Sequence, residues 1–151
     1  MNILIVDDAG VMRKVIIKEL VDMGIDPRNI FEACDGREGF EKAKCLPLDL
    51  ILMDWNMPNM LGIEALIAIR EAGIQTPIMM ITTEAERSNI IKAIQAGANN
   101  YLTKPFNKQD FQSKIKQILG HSFKNVAKPK IKELTVVNVE QSKVVWQQQS
   151  R

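Results

Sequence analysis

Aromatic side chains make up only 5% of this 151-residue chain, so aliphatic residues and methionine must do the packing. Cysteine is scarcer still. Cys34 and Cys45 do not make a disulfide framework or a zinc site. They read as free thiols of a reducing cytosol, with Cys34, inside an apolar run, as a small core residue. No stretch approaches the roughly 20 apolar residues of a membrane helix. The first apolar run breaks at Asp7, which excludes a secretion signal of the usual kind. Neither a G-x-G-x-x-G nor a Walker-type loop follows that run, which argues against a nucleotide-binding enzyme. The chain reads as cytoplasmic, with no membrane partner.

Charge of one sign is also lacking. Residues 1–119 hold 14 Lys/Arg and 16 Asp/Glu, a net of −2, whereas residues 120–151 hold 6 and 2, a net of +4. Such a body is not a nucleic-acid binder, and the 32 residues after it carry no helix-turn-helix pattern. Three segments follow: a domain over 1–119, a polar and basic linker over 120–130, and an extension over 131–151. The extension has a strand-like stretch at 131–139 and one large aromatic, Trp146, a candidate partner anchor.

What the sequence does have is 46% hydrophobic residues in short, regularly spaced runs. Ile3-Leu4-Ile5-Val6, residues 30–34, Leu50-Ile51-Leu52-Met53, Ile78-Met79-Met80-Ile81 and Tyr101-Leu102-Thr103 read as strands. Between them lie helical stripes: Val11, Val15, Ile16, Glu19, Leu20 and Met23; Phe40 and Ala43; Leu61, Ala65, Leu66 and Ile69; residues 84–96. Phe111, Ile115, Ile118 and Leu119 line a last one. Asp35-Gly36 reads as a turn. Five βα units predict an α/β fold, a doubly wound parallel five-stranded sheet of the flavodoxin-like type.

The strand ends carry the chemistry. Asp7, Asp8, Asp54, Thr82 and Lys104 all stand at the carboxyl ends of strands, where open sheets of this kind bind ligands. Three carboxylates together repel one another and call for a cation. Oxygen-only ligands suit Mg²⁺, with Asp8 and Asp54 as direct ligands, Asp7 direct or through water, and the Asn56 main-chain carbonyl completing the set. Asp54 can also attack phosphorus to give an aspartyl phosphate. Lys104 would then neutralise phosphoryl oxygens, and Thr82 would donate a hydroxyl hydrogen bond to one of them.

Taken together, Asp7-Asp8, Met53-Asp54-Trp55-Asn56-Met57-Pro58, Ile81-Thr82-Thr83 and Lys104-Pro105-Phe106 resemble the signature of two-component response-regulator receiver domains. Any one motif is weak; four in this order and spacing are highly specific. Within the family the likeness is to stand-alone chemotaxis regulators. The resemblance implies that Asp54 is the phosphoacceptor, served by a sensor histidine kinase. It implies that Thr82 and Tyr101 are coupled switch residues, that Asn56 and Glu84 tune loss of the phosphoryl group, and that Lys104-Pro105 is a cis peptide. The implied output surface is the fourth helix, fifth strand and fifth helix, in a monomer or weak dimer. Its implied listener is a flagellar motor switch protein or a histidine phosphotransferase. The sequence departs from the pattern at Leu61, where Asp is frequent, and at Ala9-Gly10-Val11, where bulkier or hydroxylated residues are usual.

Plainer readings stand beside these. Thr82 could simply cap the next helix, Lys104 could be a surface lysine, and Tyr101 an ordinary half-buried tyrosine. His121, the one histidine, reads as solvated and has no assigned phosphotransfer role. The leading function is a phosphoacceptor switch rather than a turnover enzyme. The alternatives are a relay intermediate, a regulator whose effector domain is missing, and an aspartate-nucleophile phosphatase. The last needs an acid two residues after the nucleophile, where this chain has Asn56.

Overall fold

The computed structural model describes residues 1–120. The expected linker beyond Gly120, His121, the strand-like stretch at 131–139 and Trp146 lie outside the described residues. Strands and helices alternate: β1 (Ile3–Val6), α1 (Gly10–Asp22), β2 (Ile30–Ala33), α2 (Gly36–Cys45), β3 (Leu50–Met53), α3 (Gly62–Glu71), β4 (Ile78–Thr82), α4 (Arg87–Ala96), β5 (Asn100–Thr103) and α5 (Lys108–Leu119). A single 3₁₀ turn, Pro27–Asn29, leads into β2. The strands form one parallel sheet in the order β2-β1-β3-β4-β5. This is the doubly wound, flavodoxin-like arrangement that the alternation predicts.

The near-continuous apolar runs are explained by burial on both faces. Every residue of β1, β3 and β4 is buried. Alternate side chains feed two cores. Leu4, Val6, Ile51, Met53, Ile78 and Met80 pack with residues of α2, α3 and α4. Ile3, Ile5, Leu50, Leu52, Met79 and Ile81 pack with Ile16 and Leu20 of α1 and Phe111, Ile115 and Leu119 of α5. Helices thus cover both faces, and strand order reverses between β1 and β3. Among the described residues no helix is long and apolar enough to cross a membrane.

Several local expectations are corrected. Val11 is 78% exposed, and Val15 is exposed too. Ile16, Leu20 and Met23 of the expected stripe do pack inward, and Met12 and Ile17 join them in place of the two valines. Leu61 is also exposed, because it precedes α3 and turns outward; its N–H is capped by Glu64 Oε1 at 2.8 Å. Cys34 is exposed rather than core. β2 is an edge strand that ends at Ala33, and the Cys34 N–H is already turned to Glu38 Oε1 at 2.8 Å. Asp35 does not merely turn the chain: it caps α2, accepting from the Glu38 N–H at 2.8 Å. The fourth helix begins at Arg87, leaving residues 84–86 as a loop.

The far end of the sheet is tied by one side chain that the sequence reading missed. Arg70, at the end of α3, donates to the carbonyls of Gly97 (2.9 and 3.1 Å), Ile74 (2.8 Å) and Thr76 (2.8 Å), and to Asn99 Oδ1 (2.9 Å). It binds the exit of α3 to the left-handed turn at Gly97 (φ +117°) that ends α4.

Candidate functional site

Asp7 and Asp54 extend the two strands that flank the reversal of strand order. Their backbone amides stay in the sheet: Asp7 N–H donates to Ala33 and Asp54 N–H to Val6, at 3.1 and 2.9 Å. Their side chains therefore emerge side by side above the sheet's carboxyl edge. One oxygen from each of Asp7, Asp8 and Asp54 lies within 4.8 Å of the others. Asp7 and Asp54 are buried and Asp8 is exposed.

Lys104 reaches into this group from the end of β5. Its Nζ is 2.9 Å from Asp7 Oδ2 and 3.4 Å from Asp54 Oδ2, with only 12% of its side chain exposed. The Lys104-Pro105 peptide is cis, as the family resemblance implies. Asp7 Oδ1 accepts from the Ala9 N–H at 2.8 Å, and its carbonyl accepts from Arg13 Nη1 at 2.6 Å. Arg13 is held in turn by Glu32 at 2.7 Å.

Burial holds the Asp54 carboxyl above the usual aspartate range. Lys104, the Thr82 hydroxyl and the Trp55 amide pull it back, while Asp7 adds to the rise. One ammonium thus faces three acids and only partly offsets them. A donor set made of carboxylate oxygens, open on the Asp8 side, fits a hard divalent cation. Asp7, Asp8 and Asp54 could hold it.

Thr82, fully buried, connects Asp54 to the next loop: its Oγ1 accepts from the Glu84 N–H at 3.2 Å. That bond closes a local turn and is not the helix cap of the plainer reading, because α4 starts only at Arg87, with Glu86 as its N-cap. Tyr101 is buried and donates its hydroxyl to the Glu84 carbonyl at 2.7 Å. Burial beside Glu84 and Asp54 pushes its phenol well above the ordinary value, so it stays a donor at any physiological pH. Asn56 is exposed, and its Nδ2 faces Glu84 Oε2 at 3.4 Å. The structure brings all eight expected site residues to one end of the sheet.

The support behind the site was not foreseen. A Cβ on Gly62 would stand 1.8 Å from the Asp54 carbonyl oxygen, so only glycine lets α3 start there. Asn59 adopts φ +69° and donates to Asp35 Oδ2 at 2.7 Å, fastening the loop after Asp54 to the start of α2. The signal in the sequence was the Asn in a Pro-Asn loop and the Asp-Gly ahead of a helix.

A family model described as the response regulator receiver domain matches residues 3–116. The chain belongs to that family. It is 43% identical over 120 residues to the chemotaxis protein CheY of Pseudomonas aeruginosa, covering 78% of this chain and 95% of that protein. It is 42% identical over 120 residues to CheY-3 of Vibrio cholerae, covering 78% and 91%. Among solved structures, it is similar to the receiver domain of the Francisella response regulator 1452. There the TM-score is 0.73 and the identity 27%, covering 81% of this chain and 98% of that one. The Vibrio cholerae chemotaxis protein CheY4 matches with a TM-score of 0.70 and 32% identity, covering 78% and 98%. The chain is a response regulator, and the relatives it matches at over 40% identity are chemotaxis proteins.

Proposed function

We propose that Asp54 accepts a phosphoryl group from a sensor histidine kinase, and that the modification alters the surface formed by α4, β5 and α5. The observation that carries this reading is the contact of Lys104 with both Asp7 and Asp54 above the strand-order reversal. In the step, an Asp54 carboxylate oxygen attacks phosphorus as the P–N bond of the donor phosphohistidine breaks. The imidazole leaves with the electron pair and is protonated from solvent. Lys104 meets the phosphoryl charge, and the Thr82 hydroxyl, already turned to Asp54, is the donor for one phosphoryl oxygen. Asp7, Asp8 and Asp54, with the Asn56 carbonyl, would hold Mg²⁺, which would further neutralise that charge.

Phosphorylation replaces the single carboxylate charge of Asp54 with a group of about two negative charges and brings three phosphoryl oxygens as acceptors. Thr82 answers first, and through Glu84 the change reaches Tyr101 and α4. Similarity to CheY proteins supports a chemotaxis output through a flagellar motor switch protein.

Intact-mass spectrometry with a small acyl phosphate and Mg²⁺ tests the acceptor. One added phosphate is expected on the parent and none on Asp54→Asn; unchanged labelling of the variant would refute the assignment. Capture of a motor switch protein by the phosphorylated form alone is the expected output result. Transfer onto a histidine phosphotransferase would favour a relay role, and turnover of unrelated phosphomonoesters a phosphatase.

A further inference from the structure

Glu84 is held at every polar atom it has. Its N–H donates to Thr82 Oγ1 at 3.2 Å, and its carbonyl accepts from the Tyr101 hydroxyl at 2.7 Å. One carboxylate oxygen, Oε2, faces Asn56 Nδ2 at 3.4 Å; the other, Oε1, accepts from Asn89 Nδ2 at 2.8 Å. Thr82, Tyr101 and Asn56 belong to the site already described. Asn89 does not. It is the third residue of α4, half-buried, with its backbone N–H engaged by the Glu86 carbonyl at 3.0 Å. Its side chain is thus a fixed donor on the first turn of α4, aimed at the one carboxylate that borders Asn56.

We infer that Asn89 is a positioning residue, which pins the Glu84 carboxylate beside Asn56 and so sets the lifetime of the phosphoryl group on Asp54. This rests on the reading of Asp54 as the phosphoacceptor. The 2.8 Å bond is the shorter of the two that fix the carboxylate, and it is a charge-assisted one. Pinned, Glu84 keeps a negative charge next to the residue two places beyond Asp54. An attacking water that becomes hydroxide-like as it nears phosphorus is repelled there. Released, the carboxylate can rotate into solvent, and the approach opens. The same bond makes the first turn of α4 part of the site's wall, so a partner that shifts this turn would change how long the signal lasts.

The test is the rate of phosphate loss after loading with a small acyl phosphate, Mg²⁺ and removal of the donor. Asn89→Ala is expected to lose phosphate about tenfold faster, near the low end for one hydrogen bond to a charged group. Asn89→Asp, which sets a like charge against Glu84, should do at least as much. In a Glu84→Ala background, Asn89→Ala should add nothing, because no carboxylate remains to be held. A purely structural role would move folding stability but would not show this dependence on Glu84. Unchanged lifetimes in both Asn89 variants would overturn the inference, as would an equal acceleration with and without Glu84. A parent chain that takes up no phosphate would overturn the Asp54 reading itself, and the inference with it.

Discussion

A Cβ on Gly62 would lie 1.8 Å from the carbonyl oxygen of Asp54 and 3.0 Å from the Trp55 Cα. The amide of Gly62 also donates to the Trp55 carbonyl at 2.8 Å, so the start of α3 and the end of β3 are locked together across the Asn56 loop. Backbone stands on both sides of the clash, and backbone cannot move aside like a flexible side chain. Gly62→Ala is therefore expected to cost about 3 kcal/mol or more, as overpacking does at its upper end. Urea denaturation measures it; a loss below about 1 kcal/mol would show that α3 can tilt away freely.

The raised titration of Asp54 predicts a pH signature. The folded chain holds this proton more tightly than the unfolded chain, whose aspartates titrate near ~3.9. The group's contribution to stability is therefore complete below about pH 4 and is lost as pH rises through the raised folded value. Asp54→Asn removes the charge whose burial is unfavourable. Without divalent cations the variant should be more stable than the parent at neutral pH, and the difference should vanish near pH ~4. Urea midpoints across that range check it. A variant less stable at neutral pH would mean that Lys104 more than compensates burial.

Arg70 makes a third case, far from the acids. Its guanidinium serves three carbonyls and the Asn99 side chain, which itself accepts from the Ile78 N–H at 2.9 Å. Arg70→Ala strands those acceptors, and a loss of about 2–4 kcal/mol is expected. Arg70→Lys should recover only a small part, since a single ammonium cannot span a fork of acceptors. Full recovery by lysine would show that charge, and not geometry, is what the turn at Gly97 needs.

The sheet and the acid cluster were legible because each rests on a local pattern. A strand buried on both faces must be apolar throughout, so the polar residue at its end is conspicuous. Asp7, Asp54 and Thr82 were visible for that reason. Lys104 was visible because of Pro105 and its place after a strand. The helix faces were less legible. Val11 and Val15 are apolar and correctly spaced, but α1 turns its Ile16 and Leu20 side to the sheet. Nothing within one helix says which of two apolar flanks will face the core. Arg70, Asp35 and Asn59 were opaque for another reason. Their partners are distant in sequence, and a charged or amide side chain looks alike whether it is solvated or spans two loops. The role of Asn89 was hidden for a different reason: Glu84 is only five positions away, but the pattern placed both in one helix, whereas Glu84 lies in the loop before it.

The strand order has a consequence in time as well as in space. β5 stands at one edge of the sheet, separated from β1 by β3 and β4, and Lys104 at its end meets Asp7 across 97 positions of sequence. A ribosome releases the acidic pair first and the counter-charge last. Until the fifth strand docks, Asp7 and Asp54 face each other without their lysine. If Asp54 is the acceptor proposed above, a half-made chain carries it without the lysine that would meet the phosphoryl charge, and a signal can be written only once the fold is finished.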